Sequence, residues 1–373
     1  MGVRQPQPTA PDSAPATIPA SAREFHMPFE QRTNRHLERA RAEVAAWAER
    51  MGFFDAEHTT RRPDRWSREV VDEADFPLWV AMTHPDAEPG ELTLTTAWHV
   101  TLWFVDDLLL PLWREEADRD AALQQIARLL RLLPAETPAV LGPGPENPVE
   151  RAFADLWPRT APVMTPTWRR RFAADIERFL RGLLWELDQL EGDGGGARDL
   201  IEYVHARREF GGLPMTATLM EHHLGEIPSQ VHRLPPFQGA LRAFADVVSL
   251  HNDIVSYDRE VAEESVDNNG VEVLRKSLLH DRGLADAFDL MNRLLTSRVR
   301  TLETAVLPEL ARALADEGIG EPQASHAASY VRALMTATAG SYAWHEATGR
   351  FDHRPALPLG PTGPGTSAAR FRP

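Results

Sequence analysis

The sequence predicts an all-α protein, a single domain built from consecutive helices. Three observations lead there. Apolar residues recur at helical spacing, as at Val44, Trp47, Ala48 and Met51 and again at Phe172, Ile176, Phe179 and Leu183. Alternating apolar and polar runs joined by hairpin turns are nearly absent. Short clusters of turn-forming residues divide the middle of the chain into about ten helical segments with no obvious linker or internal repeat.

The elements follow in order. Residues 1–26 hold Pro6, Pro8, Pro11, Pro15 and Pro19 among Ala and Ser, a composition that cannot bury a core and reads as a disordered leader. The first helix carries the Val44–Met51 stripe, and Gly52 reads as its C-cap. His84-Pro85-Asp86, Gly142-Pro143-Gly144-Pro145, the run from Gly192 to Gly196, and Asp267-Asn268-Asn269-Gly270 mark the turns that follow. Residues 27–353 form the domain. Residues 354–373, with five prolines and three glycines, read as a tail.

Composition narrows the function classes. The 373 residues are 43% hydrophobic and 25% charged, as in an ordinary globular protein. No run approaches the roughly 18 apolar residues of a membrane span, and the N-terminus lacks the pattern of a secretory signal. With no cysteine there is no disulfide framework, thiolate metal site or thiol nucleophile. A cytoplasmic enzyme fits. A formal net charge of -15 repels phosphate backbones, so nucleic acid is not an expected partner. An anionic substrate would need metal ions or arginines to receive it. Ten tryptophans serve packing for the most part, yet such an excess also suits a pocket that shields a cation from water.

Three segments carry chemistry. In the run from His251 to Glu260, Asn252, Ser256 and Glu260 are spaced i, i+4, i+8. Each step of four turns a helix by only about 40° and advances about 6 Å, so the three oxygens lie along one stripe. An amide, a hydroxyl and a carboxylate are hard ligands suited to Mg²⁺. A solvated polar face is the plainer account of such a stripe, but Ala245, Val248, Leu250 and Val255 make this helix largely apolar. The second segment sets Asp106 and Asp107 inside the otherwise apolar run from Trp103 to Leu110. Buried carboxylates are costly unless paired or metal-bound. Capping a helix or pairing with arginine would also account for them. The third is Arg207-Arg208-Glu209-Phe210-Gly211-Gly212-Leu213-Pro214. Pro214 cannot donate to the Phe210 carbonyl, so the helix should break and leave carbonyls around Phe210 and Gly211 unpaired. Such a dipole could face a cation, with the arginines holding an anion one turn earlier. A surface helix–turn–helix is the alternative.

These residues resemble the motifs of bacterial class I terpene synthases. Asn252, Ser256 and Glu260 resemble the family's Asn-Asp-x-x-Ser-x-x-x-Glu metal motif, and Asp106-Asp107 its aspartate-rich motif. Arg207 resembles its diphosphate-sensing arginine, and Gly211 its helix-break position. Trp344 and Arg350 resemble its late tryptophan and the arginine of its Arg-Tyr pair. Within that family the likeness is greatest to the N-terminal, germacradienol-forming half of germacradienol/geosmin synthases. It rests on the segments 81–86, 207–212, 252–261 and 362–367, and runs from about residue 27 to the end.

The resemblance implies a helical bundle around a central apolar pocket, with three Mg²⁺ ions at its mouth once a prenyl diphosphate is bound. It implies metal ligation by Asp106, Asn252, Ser256 and Glu260, and catalytic roles for these with Arg207, Gly211 and Arg350. Phe76, Trp98, Phe104, Asp107, Phe210, Arg259, Trp344 and Phe351 are expected against the substrate. The implied reaction is cyclisation of farnesyl diphosphate to a sesquiterpene or its alcohol. Its rivals are a diterpene cyclase acting on geranylgeranyl diphosphate and a non-catalytic isoprenoid-binding relative. A homodimer is left open. Three features depart from the pattern: Leu110 and Pro111 follow the aspartate pair where relatives have another acid, with Glu115 and Glu116 farther on; Phe351 stands in place of tyrosine; and the second catalytic domain of geosmin synthase is absent.

Overall fold

The computed structural model describes residues 25–55, 66–109, 113, 119–137, 144–191, 199–262, 268–279 and 283–351. Most of the leader, the glycine run at 192–196, Leu110, Pro111, Glu115, Glu116 and the tail lie outside the described residues. Among the described residues there are helices and no strands. Phe25, assigned to the leader by composition, is placed against the bundle, its ring 5.5 Å from His251 and 5.7 Å from Tyr342.

The first helix, α1 (Leu37–Met51), buries Ala40, Val44, Trp47 and Ala48. It ends as expected: Gly52 adopts φ 83°, and its N–H reaches the carbonyls of Ala48 and Glu49. Two short helices follow, α2 (Arg68–Ala74) and α3 (Phe76–Thr83). Ser67 caps the first through the Val70 N–H, and Asp75 caps the second through the Leu78 N–H. Next comes α4 (Pro89–Phe104), buried on almost every side from Leu92 to Phe104, which passes into a π-turn over Val105–Leu109. Helices α5 (Arg119–Arg131) and α6 (Pro148–Thr160) lead to the long α7 (Pro166–Glu191), whose Phe172, Ile176, Phe179 and Leu183 face inward.

The expected break separates α8 (Leu200–Phe210) from α9 (Leu213–Leu224). A one-turn α10 (Ser229–His232) then leads to α11 (Pro235–Ala262), α12 (Gly270–Leu278), α13 (Leu284–Arg300), α14 (Val306–Asp316) and α15 (Glu321–Ala347). A 3₁₀ turn over Gly349–Phe351 closes the described chain. Close helix approach depends on glycine at two crossings. A Cβ at Gly340 of α15 would collide with the Met82 carbonyl of α3, and one at Gly182 of α7 would sit 2.8 Å from the Phe210 backbone. The second contact presses the α8–α9 break against α7, with α11 on its other side.

Candidate active site

The stripe lies on α11, and its last two members meet. The Ser256 hydroxyl donates to Glu260 Oε1 at 2.6 Å. Asn252 Oδ1 accepts from Arg207 Nη2 at 3.0 Å, while its Nδ2 donates to His345 Nε2 at 3.2 Å. His345 Nδ1 faces the Ser341 carbonyl at 2.7 Å, and a carbonyl can only accept, so Nε2 is the ring's free lone pair. Burial, followed by the Arg350 and Arg207 charges, pushes the His345 imidazole down to about 4 and keeps it neutral.

Next to the stripe stands Asp253, 2% exposed. Its Oδ1 accepts from Arg207 Nε at 2.9 Å, and its Oδ2 from the Tyr203 hydroxyl at 2.7 Å and the Gly270 N–H at 3.2 Å. Burial pushes its carboxyl up, against the pull of Arg207. Burial and then the neighbouring Asp253 charge push Glu260 up to about 7. Neither Asp253 nor Tyr203 is among the expected site residues. The signal for Tyr203 was its place one turn before Arg207 on α8, facing the same helix.

The break presents Arg207 to this stripe. Gly211 ends α8 and Gly212, at φ 70°, opens α9. Pro214 has no N–H to offer Phe210, and the first bond of α9 returns from Thr216 to Gly212 at 3.1 Å, past the Gly211 carbonyl. A side chain at Gly211 would meet the Arg207 carbonyl at 2.7 Å and the Ser249 hydroxyl at 2.8 Å. Arg208 does not share its neighbour's role: its guanidinium holds the buried Asp246 at 2.5 and 3.0 Å, which Arg298 also contacts. The Phe210 ring lies 5.0 Å beneath the Arg207 guanidinium and against Trp185 and Tyr203, so its side chain supports the arginine from the core side.

The aspartate pair sits in the π-turn, a distortion that often marks functional positions. Its two members part company. Asp106 is half-buried, whereas Asp107 is 2% exposed and held by both arms of Arg350 at 2.9 and 3.0 Å. Asp107 therefore braces Arg350 instead of lining a pocket, and in this arrangement the Arg350 fork is engaged by protein, not offered to an anion. Arg350 also stands 5.2 Å over the Phe76 ring. Beside it, Phe351 stacks on His345 at 5.3 Å, meets Trp344 edge-on at 5.8 Å, and lies 5.5 Å below the Arg259 guanidinium. The last described residues thus reach both carboxylate-bearing segments, Asp107 through Arg350 and Asn252 through His345.

The aromatic residues sort by direction. Phe76 stacks on Trp103 at 4.1 Å, and Trp103 continues to Trp344 at 5.9 Å and Trp79 at 5.4 Å. Trp103 is half-buried and lies three residues before Asp106, the spacing that would have found it. Trp98 faces elsewhere, and Phe104 reaches this group through Trp66, which stacks on Phe76 at 6.0 Å. Trp98 packs edge-on against Phe153 and Phe172 and donates to the Thr160 hydroxyl at 2.8 Å, facing α6 and α7. Phe104 stacks on Phe53 at 4.1 Å and meets Trp66, facing the end of α1. Both are core. A separate cavity of about 430 Å³ between α1, α2 and α4, lined by Arg41, Val44, Asp72, Asp75 and Val100 among others, holds none of the site residues.

Among the described residues no three His, Asp or Glu side chains converge to hold a metal. The stripe's donors, Asn252 with Ser256 and Glu260 one and two turns on, are one amide, one hydroxyl and one carboxylate, a hard set that fits Mg²⁺ with water and substrate oxygens completing the shell.

A family model described as terpene synthase family 2, C-terminal metal binding, matches residues 97–301, from α4 through the α11 stripe into the turn after α13. The chain belongs to terpene synthase family 2. Two curated relatives span nearly its whole length. The 7-epi-α-eudesmol synthase of Streptomyces viridochromogenes is 28% identical over 331 residues, 88% of this chain and 91% of the relative. Pristinol synthase of Streptomyces pristinaespiralis is 27% identical over 363 residues, 94% and 89% of the two chains. Among solved structures, an α-eudesmol synthase superimposes with a TM-score of 0.72 at 25% identity, covering 87% of this chain and 99% of that one. This terpene synthase therefore has the all-α class I bundle of its family, and as an enzyme it is a lyase acting on a prenyl diphosphate. No helix of the described residues is long and apolar enough to cross a membrane.

Proposed function

We propose that this terpene synthase ionises farnesyl diphosphate with the help of Mg²⁺ and closes the resulting cation into a cyclic sesquiterpene or sesquiterpene alcohol. The observation that carries the reading is the junction at Arg207. One guanidinium bonds both Asn252, a proposed metal ligand, and Asp253, so a diphosphate held there meets cation and arginine together. Bound by Asn252, Ser256, Glu260 and Asp106, Mg²⁺ would neutralise the diphosphate as the leaving group. In the reaction the allylic C–O bond breaks and the electron pair leaves with diphosphate. A distal double bond then attacks the cation, and the final carbocation either loses a proton to give an alkene or takes up water, which then releases a proton to give the alcohol. Arg207 stabilises the departing charge. Of the aromatic group Phe76, Trp103 and Trp344, the half-buried Trp103 is the member able to present its indole to the cation, and Phe76 and Trp344 back it and exclude water. The C15 substrate is supported by relatives such as the 7-epi-α-eudesmol synthase, whose description names it as cyclising (2E,6E)-farnesyl diphosphate.

The test is incubation of purified protein with Mg²⁺ and C10, C15 or C20 diphosphates, with chromatography of the volatile extract. A cyclic C15 product that disappears with chelator, and with Glu260→Gln, is expected. Removing about 4 kcal/mol of transition-state stabilisation slows ionisation roughly a thousand-fold. Preferred turnover of the C20 substrate, or near-normal yield from Glu260→Gln, would overturn the reading.

A further inference from the structure

We infer that Asn269, which lies outside the α11 stripe, is the positioning residue that decides which oxygen of Glu260 is presented to the metal. The inference rests on Glu260 being a metal ligand. Asn269 is 0% exposed and precedes α12. Its Oδ1 accepts from the Val271 N–H at 2.9 Å, which caps the helix and fixes the amide's orientation. The amide nitrogen then points back to α11, where it donates to the Asp253 carbonyl at 2.8 Å and to Glu260 Oε2 at 3.0 Å. Both of its hydrogens are used, so the side chain has no alternative orientation that satisfies it.

The two oxygens of Glu260 are thereby distinguished. Oε2 is covered by Asn269, while Oε1 receives the Ser256 hydroxyl at 2.6 Å. Ser256 is Glu260's neighbour on the stripe, so a cation shared by the two must approach Oε1. A glutamate's terminal torsion is broad and roughly two-fold, so nothing in Glu260 itself selects that oxygen. The selection comes from α12. The next residue extends the brace: the Gly270 N–H holds Asp253 Oδ2 at 3.2 Å, and Asp253 Oδ1 holds Arg207. A Cβ at Gly270 would sit 2.6 Å from Asp253 Oδ2, so the chain passes as near as it can. Metal carboxylate and arginine are thus both registered against one turn of backbone.

Replacing Asn269 by serine separates this role from capping. Serine caps a helix about as well as asparagine, but its side chain is too short to reach Glu260. Calorimetric titration of Mg²⁺ in the presence of inorganic diphosphate should show affinity weaker by roughly 10- to 100-fold in Asn269→Ser, the usual effect of removing a hydrogen bond to a metal ligand. In product assays the half-saturating Mg²⁺ concentration should rise by a similar factor, with kcat at saturating Mg²⁺ kept within a few-fold. If the serine variant does not fold, Asn269→Asp carries the same test, since it keeps the cap and the size but turns an oxygen toward Glu260. A folded variant with unchanged Mg²⁺ affinity overturns the inference alone. Wild-type protein that takes up neither Mg²⁺ nor diphosphate overturns the metal assignment, and the inference with it.

Discussion

Changing Asp107 to asparagine should cost more than its indirect position suggests. The carboxylate holds Arg350 with two parallel bonds, and the side chains are 3% and 8% exposed. Removing one charge of a buried pair leaves the other desolvated and unmatched, a loss of about 3–5 kcal/mol. One feature softens it: an asparagine oxygen can still accept one bond, worth about 1 kcal/mol. A net loss of about 2–4 kcal/mol remains. Because Arg350 sits in the closing turn, the cheapest response is local detachment of residues 348–351, not global unfolding. The Asp107→Asn protein should therefore keep its helical content and show faster amide exchange in Thr348–Phe351. It should also lose turnover on the order of ten-fold or more, as the site loses its cover. Adding Arg350→Met should restore much of the lost protection, because the stranded charge is gone, giving a coupling of at least about 1.5 kcal/mol in a double-mutant cycle. Wild-type exchange rates in Asp107→Asn, or simple additivity in the cycle, would refute the reasoning.

Three other outcomes can be checked. Gly211→Ala places a methyl 2.7 Å from the Arg207 carbonyl and 3.0 Å from its Nη1, so diphosphate affinity by calorimetry should fall about ten-fold and the melting temperature should fall with it, because backbone must move to admit the methyl. Acid should destabilise the fold below neutrality. Burial pushes the His99 imidazole down to about 4, from about 6.5 in water, with Nδ1 on the Thr95 carbonyl and Nε2 beside Thr216. Its stabilising share is complete above pH 6.5 and drains away toward pH 4, a loss of about 2 kcal/mol by pH 5, so His99→Gln should flatten the melting-temperature profile between those limits. Phe351→Tyr would add a donor beside His345 and Arg259. Tighter diphosphate binding by calorimetry and partial rescue of Arg350→Lys are expected, and no change in either background would place residue 351 away from the anion.

What the sequence revealed was what local spacing determines. The Asn252, Ser256 and Glu260 stripe, the Gly52 cap and the break at Gly211–Pro214 each follow from residues within a turn or two of one another. Aromatic direction was not legible. Helix α4 is buried almost all round, so its pattern has no polar side to tell Trp103, which faces Phe76 and Trp344, from Trp98 and Phe104, which pack into the core. Asp107 belonged with Arg350, 243 residues away, and no period in the chain couples them. Asn269 read as turn punctuation, which it is, but its second function exists only because α12 folds back on α11. Arg207 was separated from Arg208 by resemblance alone, and the physical reason is the helix phase, which sends one to Asn252 and the other to Asp246.

The closing turn has a consequence for the order in which the protein matures. Ribosomes deliver Asp107 and Asn252 long before His345 and Arg350, the residues that later clasp them. A nascent chain that stops short of residue 345 lacks both contacts, His345 to Asn252 and Arg350 to Asp107. The two segments that carry the candidate metal ligands are therefore tied to the same short stretch of chain, and that stretch is among the last to be made.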